Sequence, residues 1–233
     1  EGAVVRSDHT TTLDLTLTVR LLGTTTERPI VRRHHQTSTT TVEGGGLRIA
    51  WSTNRHQALE PGHAHDLELP VVGPTWRLEG ERVTRVDGEP VDPEAAAIVR
   101  QMRLPAQLTG IRAMLGDDPS IGDVLPAGSM FAGVLDDAPG EPELIAGTLR
   151  LVEIDGGKAR FAVDLDLRSQ GTDAKGTAIR TDARAAGELL VAVDTGLTER
   201  FALEGTVEVL ATRTDLRTTG SGRFTTVTVL EHE

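Results

Sequence analysis

The chain has 233 residues, of which 38% are hydrophobic, with four Phe, two Trp, no Tyr and no Cys. The formal net charge of −11 disfavours binding to nucleic acid or to an anionic lipid surface. The absence of cysteine excludes disulfides, zinc–thiolate sites, iron–sulfur clusters and thiol nucleophiles. No apolar run approaches the roughly 18 residues that a membrane-spanning helix needs, so we predict a chain that does not span a membrane.

Threonine and aliphatic residues dominate the composition and favour β-structure. The sequence contains 30 threonines, and β-branched side chains suit the exposed face of a strand. A core with so few aromatic rings must be filled by Val, Leu, Ile and Ala, whose burial contributes about 0.8 kcal/mol per methylene. We therefore predict a mainly β protein, and the length fits one large β domain.

The N-terminal third contains the clearest strand patterns. Residues 13–21 alternate Leu or Val with polar residues, and this period of two places one apolar face on a core. A Thr-rich strand follows at 31–42, and the triple glycine at 44–46 predicts a hairpin because Gly reaches positive φ without steric cost. Residues 54–74 are rich in His, Pro and Gly and are predicted to form an irregular loop. A short meander is predicted at 76–86.

A helical insert is predicted at 92–116. Asp92 is a suitable N-cap, Pro93 fits the first helical position, and Glu94 favours the positive end of the helix dipole. Pro105 is expected to break or kink the helix. The insert carries an apolar stripe that either packs on the sheet as core or lines a hydrophobic pocket or partner groove. The stripe consists of Ile98, Val99, Met102, Leu108, Ile111, Met114 and Leu115.

The C-terminal half returns to strands. Asp155-Gly156-Gly157 between two alternating apolar segments predicts a hairpin, and further strands are expected at 186–193, 198–210 and 222–230. We predict a mainly β fold, an antiparallel half-barrel or sandwich of about ten strands with a helical insert. Its single two-lobed domain, 1–233, comprises an N-terminal β lobe at 1–91, the insert at 92–116 and a C-terminal β lobe at 117–233.

The C-terminal half resembles a broad class of uncharacterised exported bacterial β-rich proteins and envelope lipoproteins. The residues that carry the resemblance are Ser120-Ile121-Gly122-Asp123, the turn at 155–157 with Lys158-Ala159-Arg160-Phe161 beyond it, and the segment 187–196. The succession of meander, helical insert and meander is also similar to the half-open barrels of periplasmic lipoprotein carriers. That similarity implies a curved sheet and a helical lid that hold an acyl chain, although no binding residue of that class is matched here.

His63 and His65 are the candidate metal ligands. Residues at i and i+2 of an extended segment point the same way, and with His56 or a nearby carboxylate they would provide ligands for zinc or copper. The alternative is a solvated polar loop. The adjacent His34 and His35 face opposite sides of a strand, which disfavours a shared site there.

No catalytic motif is evident in the sequence. A Gly-x-Ser-x-Gly elbow, a Gly-rich phosphate loop and a dinucleotide-binding fingerprint are all missing. Asp164 and Asp166 share a strand face and would suit acid/base work or cation binding if one of them were buried. Their alternation with apolar residues predicts instead that they face solvent. We favour a non-enzymatic protein and predict no cofactor.

The layout favours an exported bacterial binding protein that holds a hydrophobic ligand, a lipid or a partner protein between its sheet and the insert. The alternatives are a structural scaffold of the cell envelope, and a metal-binding protein or metalloenzyme at His63 and His65. The chain starts at Glu1 without an initiator Met, which we interpret as removal of an export signal. We therefore expect a periplasmic or extracellular protein, free or anchored by a lipidated Cys upstream. The expected ligand-binding residues are Ile98, Met102, Leu108, Ile111 and Met114.

Overall fold

The computed structural model shows a mainly β protein built on one antiparallel sheet. Within the residues that the structure describes, twelve strands form a sheet that is not closed into a barrel, and one short α-helix accompanies it. The predicted mainly β fold with a helical element is confirmed, with twelve strands where about ten were expected. In the part of the chain that is described, no helix has the length and apolarity needed to cross a membrane. The structure describes residues 2–21, 23–60, 62–101, 120–127, 131, 134–135, 140–173, 175–214 and 216–233.

The elements follow each other along the chain with short turns between most strands. In the N-terminal half they are β1 (Val4–Leu21), β2 (Thr24–Glu43), β3 (Gly46–Glu60), β4 (His63–Glu68), β5 (Thr75–Glu79), β6 (Arg82–Arg85) and α1 (Pro93–Gln101). In the C-terminal half they are β7 (Val124–Pro126), β8 (Glu141–Asp155), β9 (Lys158–Thr172), β10 (Ala178–Ala192), β11 (Thr198–Arg213) and β12 (Leu216–His232).

The first and last strands join the two halves of the chain. The sheet order is β6-β5-β3-β2-β1-β12-β11-β10-β9-β8-β7, with β4 beside β3. The antiparallel ladder between β1 and β12 is unbroken from the pair Val5–His232 to the pair Leu21–Leu216. Because of this ladder, strands from both halves lie in one continuous sheet.

Alternation along the strands gives the sheet two different faces. The inner face is the one that carries Leu15, Phe161 and Phe224, which are 7%, 0% and 6% exposed. A first hydrophobic cluster covers this face from β8 to β12 and β1, where the ring centroids of Phe131 and Phe201 lie 5.3 Å apart. A second cluster lies on β3 and β5 and includes Trp76. The opposite, outer face carries most of the ion pairs.

Three glycines let neighbouring strands approach more closely than a Cβ atom would permit. A Cβ on Gly187 would lie 2.0 Å from the carbonyl oxygen of Ala202, and one on Gly222 would lie 2.0 Å from that of Asp14. Gly205 is equally constrained, at 2.1 Å from the carbonyl oxygen of Arg184. Glycines at such close approaches allow a sheet to bend sharply. We call Gly187, Gly205 and Gly222 the glycine line.

The helix α1 begins as the sequence predicts. The Asp92 carboxylate accepts hydrogen bonds from the backbone N–H groups of Glu94 and Ala95, at 2.9 and 3.0 Å, so the N-cap prediction is confirmed. The buried side of the helix carries Ala95 and Val99, both 0% exposed, which pack into the second hydrophobic cluster.

Removing this cap is expected to destabilise the protein. Asp92→Ala leaves two backbone N–H groups without their acceptor, and we expect the free energy of unfolding to fall by about 1 kcal/mol. Urea unfolding followed by circular dichroism measures the loss. Asp92→Asn keeps an acceptor oxygen and should lose clearly less, and equal losses in the two variants would contradict the capping role.

The prediction of an irregular loop at 54–74 is wrong for most of that segment. β3 continues to Glu60 and pairs with β4 (His63–Glu68), and residues 69–74 lie outside the strands. The backbone N–H of Leu69 then donates to the carbonyl of Asn54 at 2.8 Å. The inner face at this point carries Asn54 and His56 rather than aliphatic residues. Backbone pairing therefore proceeds without the alternation of hydrophobicity that normally indicates a strand.

Candidate functional site

The inner face changes from apolar to polar side chains at the middle of the sheet. Residues paired across β12, β1, β2 and β3 form transverse rows there, and two neighbouring rows consist entirely of His, Thr, Gln and Asn. These eight residues form what we call the polar band. It consists of Thr226, Thr11, His34 and His56 in one row, and Thr228, His9, Gln36 and Asn54 in the next.

Hydrogen bonds connect the β1 and β12 side of the polar band. The His9 ring lies between two hydroxyls, with Nδ1 2.9 Å from Thr228 Oγ1 and Nε2 3.0 Å from Thr11 Oγ1. The hydroxyls of Thr11 and Thr226 are 3.0 Å apart. This chain of donors and acceptors holds the His9 ring in one orientation.

Two further imidazoles lie on the β2 and β3 side of the band. The rings of His34 and His56 stack with their centroids 3.9 Å apart and an interplanar angle of 33°, and the His9 ring meets His34 edge-on at 5.9 Å. His34 Nε2 lies 3.0 Å from Oδ1 of Asn54, a residue only 2% exposed. The three rings are half-buried, so the band presents a partly accessible polar surface.

The geometry of the band differs from that of a metal centre. No group of three or more His, Asp or Glu side chains within the described ranges is arranged to hold a metal ion. In the His34–His56 stack the ring faces meet, whereas metal ligation requires ring nitrogen lone pairs to converge on one point. The arrangement is suited to hydrogen bonding.

An apolar strip borders the polar band on the same face. We use this name for Leu13, Leu17 and Val209, which are half-buried and pack against the first hydrophobic cluster. Leu13 lies two residues from Thr11 on β1, so apolar and polar surface meet directly. On the described inner face of β1, β9, β10 and β12 there is no Asp, Glu, Lys or Arg.

Two buried polar atoms lie next to the band on β2 and β3. Ser38 and Trp51 are cross-strand partners, and Ser38 Oγ and Trp51 Nε1 have no hydrogen-bond partner within the described residues. By contrast, Nε1 of Trp76 donates to the carbonyl of Val71 at 2.9 Å. A buried polar group without a hydrogen-bond partner costs about 1–3 kcal/mol. The described residues therefore leave the hydrogen-bonding capacity of these two side chains unsatisfied.

The predicted metal ligands lie on the edge strand β4. His63 pairs in register with Glu60 and His65 with Ala58, and His65 is exposed. The neighbouring carboxylate of Asp66 is engaged by Arg55 and Gln57, and the hydrogen bonds from Arg55 hold the pKa of Asp66 below its ordinary value. A metal site at His63 and His65 stays a prediction, tested by zinc titration of the doubly substituted variant His63→Ala/His65→Ala.

The predicted ligand-binding residues of the insert are only in part described. Ile98 lies on α1 and packs against the second hydrophobic cluster. That cluster includes Trp76 and Val99, and Ile98 is half-buried beside it. The other four lie outside the described residues, and their role stays a prediction. They are Met102, Leu108, Ile111 and Met114.

The outer face carries the charged groups that the sequence places at the solvent side of the strands. Asp164 and Asp166 are exposed, and Asp166 forms an ion pair with Arg184 at 3.2 Å. Hydrogen bonds from Arg180 and then Arg168 hold the pKa of Asp182 below its ordinary value. Asp164 and Asp166 thus lie at the surface, and Asp166 and Asp182 are paired with arginines, so these carboxylates lack the burial that raises a pKa for acid/base chemistry.

His9 is the histidine of the polar band that the sequence reasoning missed. The alternation starting at Leu13 extends backwards through Thr11 and His9, and β1 indeed begins at Val4. Extending the period of two beyond the last leucine would have placed His9 on the inner face. The contact between His34 and His56 has no comparable signal, because it depends on the register of β2 against β3.

Comparison with known proteins adds little to this description. No family model matches the chain, and no curated protein matches it. Among solved structures, the chain is similar to a DUF1329 family protein from Desulfovibrio piger ATCC 29098, with 14% sequence identity over 95% of this chain and 83% of that chain. The TM-score of 0.14 is too low to support a conclusion about fold or function.

Proposed function

We propose that this protein binds a hydrophobic ligand against the inner face of its sheet. The apolar part of the ligand lies on the apolar strip, and its polar end meets the polar band. The observation that carries the proposal is the direct boundary between half-buried leucines and half-buried histidines on one face of a sheet that is not closed.

The energetics of such a face favour an amphiphilic ligand. Covering half-buried side chains such as Leu13 and Leu17 contributes about 25 cal/mol for each Å² of apolar surface removed from water. The polar surface of the band can then lie against the polar group of the ligand, so that this group is not buried against hydrocarbon. The described inner-face residues of β1, β9, β10 and β12 carry no charge. Covering them with a ligand therefore does not require the desolvation of a charged side chain.

Two finer parts of the proposal rest on the sequence alone. One is that the insert at 92–116 covers the ligand from the open side, with Met102, Leu108, Ile111 and Met114 in contact with it. The other is that the protein acts outside the cytoplasm.

The test is native mass spectrometry of the purified protein after incubation with a bacterial lipid extract. We expect an added mass in the range of a single lipid. Val209→Asp places a carboxylate in the apolar strip and should abolish the added mass, because a charge there must be desolvated by the ligand. Leu210→Asp is the matched control: Leu210 is the next residue on β11, faces outward and is 36% exposed.

Two results would contradict the proposal. One is a protein that carries no added mass after exposure to the extract. The other is equal binding by the two variants, with both shown to be folded by circular dichroism.

A further inference from the structure

Two arginines of β2 lie on the inner face at the edge of the apolar strip. Arg28 and Arg32 lie on β2, where they flank the buried Ile30, and their direct cross-strand partners on β1 are Leu17 and Leu13. Cross-strand partners share a face, so both cations lie on the inner face beside apolar surface. Both residues are exposed.

These two cations have no acidic partner in the described ranges. Neither Arg28 nor Arg32 takes part in an ion pair there, whereas Arg168, Arg180 and Arg184 of the outer face all do. The one carboxylate on the described inner face of β1–β3 is Glu60, at the end of β3, and it forms no ion pair with them. A local positive charge therefore stands out on a protein whose net charge is −11.

Arg32 lies where the apolar strip and the polar band meet. Its cross-strand partner Leu13 belongs to the apolar strip, and His34, two residues further along β2, belongs to the polar band. A guanidinium group presents several N–H donors in a fixed plane and binds carboxylates and phosphates in two-point contact. Its position fits the head group of a molecule whose hydrocarbon tail covers Leu13.

We propose that Arg32, with Arg28 as the second cation, binds the anionic head group of a single-chain amphiphile whose tail lies on the apolar strip. The head group is a carboxylate or a phosphate. This inference rests on the proposed function, since it names the class of ligand for the same face. Because neither guanidinium group is paired with a carboxylate in the described residues, their local positive charge is available to an anion even though the whole chain is acidic.

Isothermal titration calorimetry with three probes of equal chain length tests the inference. Dodecanoate and dodecyl phosphate carry the two candidate head groups, and dodecanol is the neutral reference, each used as monomer below micellar concentration. For the unsubstituted protein we expect both anions to bind at least about tenfold more tightly than the alcohol, since hydrogen bonds to charged groups are the stronger kind.

Substitution of the arginines gives the decisive comparison. Arg32→Gln should weaken binding of the anions by about tenfold or more and leave dodecanol binding unchanged, and Arg28→Gln should have a smaller effect in the same direction. Arg33→Gln is the matched control, because Arg33 is the next residue on β2 and faces outward. It should leave all three affinities unchanged.

The outcomes separate this inference from the proposed function. Equal affinity for the three probes, or equal effects of Arg32→Gln and Arg33→Gln, would overturn the anionic head group while hydrophobic binding stands. If none of the probes binds, the proposed function fails and this inference fails with it. Preference for only one of the two anions supports the inference and identifies the head group.

Discussion

Gly222→Ala is expected to destabilise the protein strongly, although it adds only a methyl group. A Cβ at this position would lie 2.0 Å from the carbonyl oxygen of Asp14 and 2.8 Å from Cα of Leu15, both backbone atoms of the neighbouring strand β1. The two strands must separate to accept it, which disturbs the ladder that joins the two halves of the chain. Overpacking of this kind costs about 1–3 kcal/mol or more, and we expect the upper part of that range. In thermal unfolding this corresponds to a Tm lower by about 6 °C or more.

Gly220→Ala is the matched control for this prediction. Gly220 lies two residues away on the same strand and the same face, but a Cβ there would meet only side-chain atoms, the nearest being Cδ2 of Leu17 at 2.5 Å. Because a leucine side chain can move by rotation, this variant should lose much less stability. Equal losses in the two variants would show that close backbone approach at Gly222 does not determine the effect.

Phe161→Ala is the second substitution for which we expect a large loss of stability. Phe161 is 0% exposed in the first hydrophobic cluster, where its cross-strand partners are Leu151 and Leu189. Removing the ring takes away its burial and leaves a cavity between residues that are held by their own strands. The expected decrease in the free energy of unfolding is about 3–5 kcal/mol, measured by urea unfolding.

Phe161→Leu and Arg160→Ala are the control variants for this prediction. Phe161→Leu keeps part of the apolar volume and should lose less than the alanine variant. Arg160→Ala removes the neighbouring side chain on the outer face, where it pairs with Glu153 and Glu188 in solvent, and should change stability little. The prediction fails if Phe161→Ala and Arg160→Ala have similar effects.

The residues substituted in these two predictions also support the candidate site. The glycine line permits the close approach of β10 to β11 and of β12 to β1, and the apolar strip lies on β1 and β11. The apolar strip also packs against the first hydrophobic cluster, to which Phe161 belongs. A stability defect at Gly222 or Phe161 would therefore reduce ligand binding indirectly, whereas Val209→Asp and Arg32→Gln alter the proposed contact surface itself.

Local signals in the sequence determined a large part of the fold. Alternating leucines predicted β1, the Asp-Gly-Gly turn predicted the β8–β9 hairpin, and Asp92 predicted the start of α1. Each of these depends on residues close together in the chain, through side-chain period, turn conformation or a capping hydrogen bond. The same alternation placed Asp164 and Asp166 on the outer face.

Only the tertiary structure decided which residues meet across the sheet. The stack of His34 on His56 and the contact of Thr11 with Thr226 depend on strand register, and a slip by one residue would move each side chain to the other face. The hairpin of β3 and β4 was missed because polar residues occupy its inner face. The sequence thus determined that the chain forms two-faced strands. Their long-range pairing decided that one face would combine leucines and histidines with Arg28 and Arg32 of β2.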